Sequence, residues 1–360
     1  MRHRWPAAVL AVAVWGWLTP ASAQNGDPRA DLPMAHANNA VAQLERDGQT
    51  YFYSFLGLKS GKTWRDTSRM AFEYHVDADR WRRLPDVPVD RGRLAGAAVG
   101  LGGVVYLFGG YTVAESGAEV STPEVFAFDP AADRYARRAD MPTPVDDSMA
   151  LAYADRYIYL ISGWHADGNV TLVQVYDTAQ DRWFRATDYP GLPVFGHAGG
   201  IVGNRMVVAD GVAVLGFDNG RRRFGIVDEA WAGEIDGGDP AVIRWTRLPP
   251  HPGAPLYRMA AAGSPSRNQV LFAGGSDNAY NYNGIGYDGT PSKPSAHGFA
   301  WDFASSTWVA LPPRAMATMD HRGLLAHDGA FYTLGGMVSD QQVTATVVVY
   351  RPESKRDIQR

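Results

Sequence analysis

The strongest constraint on this chain is a phrase that it repeats. Val104–Pro142 reads VVYLFGGYTVAESGAEVSTPEVFAFDPAADRYARRADMP. A short apolar run, Val104–Phe108, ends in Gly109-Gly110, where a buried strand stops and glycine admits close backbone approach. A variable polar loop follows. The alternating Val125–Phe128 then closes on the turn chemistry of Asp129-Pro130 and leads through Asp133 to Tyr135 and Met141-Pro142. The same order of parts recurs down the chain. Its glycine step falls at Gly57, Gly110, Gly163, Gly211, Gly275 and Gly336, and its aromatic anchor at Trp81, Tyr135, Trp183, Trp245 and Trp308. A Leu-Pro follows the anchor at Leu84-Pro85, Leu248-Pro249 and Leu311-Pro312. Each unit is one supersecondary piece that cannot bury its faces alone, so the units must stack on one another.

With the small-residue strand before it, the phrase supplies four strands, and six glycine steps predict six sheets closed into an all-β propeller. A sixth anchor is missing. After Gly336 the chain has room for one more strand, Val347–Tyr350, while Asp31-Leu32-Pro33 copies the Leu-Pro that ends other units. Residues near 27–33 are therefore expected to form the outer strand of the last blade, joining the chain's ends and hiding two sheet edges.

The start of the chain carries a different signal. Met1–Arg4 is basic, Ala7–Leu18 mainly apolar, and Ala21-Ser22-Ala23 precedes Gln24. That order predicts a secretory signal over 1–23, cleaved after Ala23, since an apolar run of about twelve residues is short of the roughly 20 that span a bilayer. Residues 24–360 then form one propeller in the periplasm or outside the cell, with no membrane insertion after cleavage. The net charge of -4 argues against nucleic acid as a partner. Arg221-Arg222-Arg223, the one basic run, follows the turn signal Asn219-Gly220 and reads as a solvated hairpin arm. Cysteine is absent, so stability must come from packing and ring closure.

The double glycine, the aromatic-Asp step (Phe128-Asp129, Tyr176-Asp177, Trp301-Asp302) and the spaced tryptophans make the chain resemble kelch-repeat proteins over nearly all of its mature length. That family includes sugar oxidases, sialic acid mutarotases and pure interaction modules, so the resemblance implies a fold more than a function. The radical cofactor of kelch-type galactose oxidases is a tyrosine cross-linked to cysteine, which this chain cannot make; no cofactor is expected. In layout the chain is most similar to periplasmic N-acetylneuraminate epimerases. It shares their secretory start, their ring closure and a fifth-blade Phe272–Gly275 step leading into an Asn- and Tyr-rich insertion. In those enzymes a glutamate acting as general base follows the glycine of the fourth blade, with an arginine a few residues on. Here the stretch is Ala209-Asp210-Gly211-Val212, with valine at that place and Arg221–Arg223 later than expected. The resemblance carries the fold across and leaves the catalytic residues unassigned.

Strand direction places a site. The loops after each Leu-Pro and after each glycine step open on one face, so residues just before each innermost strand ring the channel mouth. They are His36, Asn38 and Asn39; Arg91 and Arg93; Asp146 and Asp147; His197; Tyr257 and Arg258; and Asp320, His321 and Arg322. The strands that follow are small and apolar. A ligand site is expected there, with Arg93, Asp147, His197, Arg258, Asp320 and His321 around the ligand and Tyr282 and Tyr287 closing over it. Arg93 or Arg258 would pair with a carboxylate if the ligand is an acidic sugar. The alternative is that these groups satisfy backbone at blade junctions.

Tyr282 and Tyr287 lie in the long insertion Ser276–His297, where tyrosines alternate with Asn278, Asn281, Asn283 and Asp288 in a pattern suited to a sugar's apolar face and paired hydroxyls. The insertion reads equally as a lid packed on the next blade. Its Asp277, Asn281, Asn283 and Asp288 match no calcium loop. His36, His197 and His321 occupy equivalent places, which leaves a transition metal there open, but no metal is assigned. The partners that follow are a small molecule or glycan, or, with Tyr111, Trp164 and Tyr280 on loops, another protein. An anomer-converting enzyme using another acid, such as Asp147 or Asp320, stays as the enzymatic alternative.

Overall fold

A computed structural model describes residues 28–352. The signal segment expected over 1–23 lies outside the described residues, as does residue 27. Apart from two 3-10 turns, Trp64–Asp66 and Ser339–Gln341, the regular structure described is all strand. Among the described residues no helix is long and apolar enough to cross a membrane. Five four-stranded sheets and one three-stranded sheet stand around a channel as the six expected blades. The first blade runs Ala40–Arg46, Gln49–Phe55, Ala71–His75 and Arg80–Leu84, each strand antiparallel to the next. In later blades the second strand, such as Val104–Phe108 or Tyr157–Ile161, is buried along nearly its whole length because another blade covers each face. The innermost strands are small because six of them converge. Ala97, Ala98, Gly199, Gly200, Ala262 and Gly323 are among the residues lining a channel of about 260 Å³.

The glycine step is needed for approach as well as conformation. Gly110 has φ of 83°, and a Cβ there would lie 2.6 Å from the carbonyl oxygen of Leu94. Gly336 repeats the arrangement in the last blade, at φ 102° and 2.6 Å from the Met319 oxygen. The aromatic anchor ties each blade to the one before it. Trp81 Nε1 donates to Ala30 O, Tyr135 Oη to Pro85 O, Trp183 Nε1 to Ala139 O, Trp245 Nε1 to Thr187 O and Trp308 Nε1 to Pro249 O, at 2.7 to 3.5 Å. The sixth anchor, missing from the repeat, is supplied from another strand. Tyr350 ends the third strand of the last blade, and its hydroxyl donates to Pro312 O at 2.7 Å.

The ring closes where expected but in a different register. Leu32 N–H donates to Ala345 O at 2.8 Å, as Val87 N–H does to Arg69 O and Met141 N–H to Pro123 O. Ala30 receives Trp81 and donates its N–H to Asp79 Oδ1, as Ala139 does with Trp183 and Asp181. Arg29-Ala30, not Leu32-Pro33, is therefore the counterpart of Leu84-Pro85. The expectation of an outer strand near 27–33 is corrected accordingly: residues 28–32 form a strap on the last blade, whose sheet has three strands among the described residues. Leu32 is an apolar plug, 3% exposed, packed with Val347 and Val349.

Candidate functional site

Six equivalent residues define the channel mouth. Asn38, Ala95, Asp147, Gly196, Arg258 and Asp320 all have positive φ, between 51 and 69°. The residue before each bridges to the one after a glycine step, as Leu94 does to Tyr111 and Tyr257 to Ser276. The sharp turn this imposes points each of the six residues at the neighbouring blade, and they join in a closed belt. Asp147 N–H donates to Ala95 O, Gly196 N–H to Asp147 O, Arg258 N–H to Gly196 O, His321 N–H to Arg258 O and Asn38 N–H to Asp320 O, with Ala95 N–H closing onto Asn38 Oδ1. The belt is a reason for polar residues at the mouth that involves no ligand.

Within the belt the side chains form one buried ion network. Arg258 holds Asp147 through Nε (3.1 Å) and Nη2 (2.5 Å) and Asp320 through Nη1 (2.8 Å), while Arg322 Nη1 meets Asp147 Oδ1 at 2.5 Å. Tyr257 and Tyr280 place their rings 4.8 and 5.3 Å from the Arg258 guanidinium, and the Tyr280 hydroxyl donates to Asp320 Oδ1. The two carboxylates respond oppositely. Burial would raise Asp147, but Arg258 and Arg322 outweigh it and hold Asp147 below the usual carboxylate range. Asp320 has one guanidinium contact and an oxygen, Oδ2, without a hydrogen-bond partner, so burial wins and pushes it up.

Above the network lies a pocket of about 160 Å³ at the mouth of the channel. Asp146, Asp147 and Arg258 form its floor. Trp164, Phe195, Phe224 and Tyr287 form an aromatic wall, with Phe224 and Tyr287 rings 4.2 Å apart and Trp164 and Phe195 rings 5.5 Å apart. Tyr111, Glu119 and Arg222 complete it; Arg222 donates to Asp167 O and lies over Trp164. Arg222 comes from the hairpin Val212–Asp218 and Arg221–Ile226, whose Asn219-Gly220 turn takes positive φ at both residues, as the turn signal predicted. The basic run is a hairpin arm, but one of its arginines turns toward the pocket.

Two acids at the pocket carry raised pKa values. Asp146 is buried, accepts from the Ser121 hydroxyl at 2.6 Å and sits beside the Asp147 charge; burial, then that charge, push it well up. Glu119 stands at the exposed rim, yet its carboxyl faces the pocket walls. Desolvation there raises it, Arg258 opposes and Asp147 adds, leaving it at about 7.

Of the expected site residues, the structure gathers Asp147, Arg258 and Tyr287 at the pocket and Asp320 in the network beneath it. Arg93 and Arg258, the arginines expected to meet a ligand carboxylate, already have acidic partners in this structure: Arg258 holds two aspartates, and Arg93 pairs with Glu124 at 2.8 Å and reaches Gly109 O. His197 and His321 lie with Arg322 around a small cavity below the network, away from the pocket. Burial holds His36 and His197 down to about 4 and His321 well below its ordinary value. These three do not come together around a common point. The grouping with metal-ligating geometry among the described residues is Asp210, Asp228 and His251. Tyr282 is half-buried against the apolar cluster of the loop face. In the insertion, Asn281, Asn283 and Asp288 each accept a hydrogen bond from their own loop's backbone N–H groups through Oδ1.

Known proteins bear on this ring. Kelch-like protein 15 of Danio rerio is 21% identical over 266 residues, 70% of this chain and 40% of that protein. Beta-scruin of Limulus polyphemus is 26% identical over 239 residues, 65% of this chain and 25% of that protein. The solved structure of YjhT superposes with a TM-score of 0.72 at 13% identity, covering 91% of this chain and 98% of that one. The chain is a kelch-repeat propeller. No protein-family model matches it, and it spans less than half the length of these curated relatives. In this kelch ring the place of the epimerase glutamate is held by Val212, which is fully buried and bridged to Phe195. Its neighbour Asp210 does not replace the acid, because His251 Nε2 and the Leu256 N–H occupy its two oxygens. Glu119, Arg222 and Phe224 lie on blade-specific hairpins that no repeat alignment compares; only their nearness to a glycine step signalled that they would stand on the loop face.

Proposed function

We propose that this kelch propeller binds a carbohydrate or similar small polar ligand in the loop-face pocket. One observation carries the reading: an aromatic wall, Trp164, Phe224 and Tyr287, faces a floor of carboxyl and guanidinium groups within one concave pocket. Sugars present an apolar ring face and a rim of hydroxyls, which suits stacking on one side and paired hydrogen bonds on the other. With Arg258 neutralised by two aspartates, the pocket favours a neutral sugar over an acidic one. The test is a panel of monosaccharides and glycans titrated by calorimetry. Trp164→Ala and Tyr287→Ala are each expected to weaken binding about tenfold, the equivalent of 1.4 kcal/mol. A sugar bound with affinity untouched by either change would remove the pocket as its site.

A protein partner is the second reading. Val120, Leu215 and Phe217, on the hairpins that build the pocket, are 60, 43 and 67% exposed. Such a rim favours a partner that docks across the loop face, and loss of its capture on Phe217→Ser with sugar binding intact would select this reading. We further infer export, from the basic start, apolar run and Ala21-Ser22-Ala23. Terminal sequencing of protein recovered from the periplasm should begin at Gln24; retention of Met1 would refute it.

A further inference from the structure

Asp146 and Asp147 are adjacent in sequence and opposite in circumstance. Asp147 takes three contacts from two guanidiniums. Asp146 is in no ion pair among the described residues, faces a hydroxyl, and has the ionised Asp147 beside it. Like charges side by side in a buried site cannot both be sustained, so the unpaired one keeps its proton. Glu119 is two residues from Ser121 on the strand Glu119–Ser121, so both side chains share one face of that strand. Ser121 holds Asp146, and Asp146 and Glu119 both line the pocket that Arg258 also lines. One is on the dry, buried side and the other at the exposed rim.

We propose that Asp146 and Glu119 are the general acid and general base for hydrolysis of an acetal bond of a bound sugar, with water as co-reactant; the proposal rests on the sugar reading of the pocket. Asp146 gives its proton to the departing oxygen as the bond from that oxygen to the acetal carbon breaks. Glu119, as carboxylate, takes a proton from a water arriving at the rim, whose oxygen forms the new bond to the same carbon from the other side. The products are two hydroxyl compounds; Glu119 then releases its proton to solvent and Asp146 regains one. The placement favours this division of roles, because a base needs water at hand and an acid that holds its proton needs shelter from it.

The experiment uses nitrophenyl and dinitrophenyl glycosides of the common hexoses and N-acetylhexosamines, with sugar binding measured in parallel by calorimetry. Wild type should release nitrophenol. Asp146→Asn should lower kcat about 10²–10⁴-fold on nitrophenyl glycosides and far less on dinitrophenyl ones, whose leaving group needs no proton. Glu119→Gln should lower both alike, and both variants should still bind the sugar. Activity of wild type should rise with pH through about 7 as Glu119 ionises, and that limb should be absent from Glu119→Gln. The groups around this carboxyl are Arg258, Arg222, Asp147, Tyr111, Tyr282, Tyr287 and Asp146; burial pushes the tyrosines up and Asp146 is pushed up as well, so it is the loss of the limb in Glu119→Gln that assigns it to Glu119. If a sugar binds and its aryl glycosides are not cleaved, or if Asp146→Asn acts equally on both leaving groups, the hydrolytic proposal is overturned and the binding reading stands. If no sugar binds, both fall.

Discussion

Arg258→Met is expected to destabilise the folded ring by about 3–5 kcal/mol, read from the urea midpoint, because it leaves buried Asp320 without its cation and Asp147 with Arg322 alone. Arg258 is 2% exposed and its three nitrogens are spent on Asp147 and Asp320. Methionine fills much of the volume but returns none of the hydrogen bonds. Adding Asp320→Asn should recover part of the loss, since Asp320 has no other ion pair among the described residues whereas Asp147 keeps Arg322; a double variant no better than the single would show that packing, not charge, is what Arg258 supplies. The pH dependence has a definite sign. Asp147 is held down in the folded state, so its stabilisation is present above its unfolded pKa and is lost as the pH falls through the folded one. The gap between wild type and Arg258→Met should therefore narrow on acidification. A loss under about 1 kcal/mol at neutral pH, the range of solvent-exposed pairs, would mean that water reaches the network.

Most of the fold was legible because its constraints are local and recur. A glycine that must let its backbone pass 2.6 Å from a neighbouring carbonyl has no substitute, so Gly110 and Gly336 announce two blades as plainly as one. The outer-strand aromatic is less fixed, since what matters is a donor reaching the previous blade's carbonyl. Tyr350 does this from a neighbouring strand, and no pattern in the sequence marks it as the sixth anchor. The Leu32-Pro33 match misled for a related reason. An apolar residue stands both at Leu84, within a strand, and at the plug beyond it, occupied by Val87 and Met141; Leu32 fills the second place, while the counterpart of Leu84 is Arg29.

The site was legible as a set of positions and not as a set of partners. Equivalent places in six blades must converge on a closed ring, which located the mouth and put Asp147, Arg258 and Asp320 in contact. Which polar groups face each other depends on how deep in the mouth each head group ends, and spacing along the chain holds no record of depth. Arg93 shows the consequence: it precedes an inner strand as Arg258 does, yet it turns to Glu124. The pocket walls were hidden further, because Glu119, Arg222 and Phe224 sit on hairpins that differ in every blade.

Deleting residues 24–33 is expected to lower the melting temperature by several degrees in one cooperative transition, with the two-state character of the remainder retained. The strap is short but its contacts are long-range. Leu32 fills the apolar interior of the last blade, where truncating a leucine to alanine alone costs about 2–5 kcal/mol. Ala30 engages Asp79 and Trp81 of the first blade, so the deletion unpins the junction between the last blade and the first as well as uncovering an edge. Because Trp81 would lose its carbonyl acceptor, tryptophan emission should move to the red at temperatures below unfolding. Leu32→Ser in the full-length chain separates the two effects: it should lower the melting temperature while leaving the Trp81 bond, and so the emission, in place. An unchanged melting temperature in both variants would mean that ring closure is carried by Tyr350 and the inner strands alone, with the strap a passive passenger on the last blade.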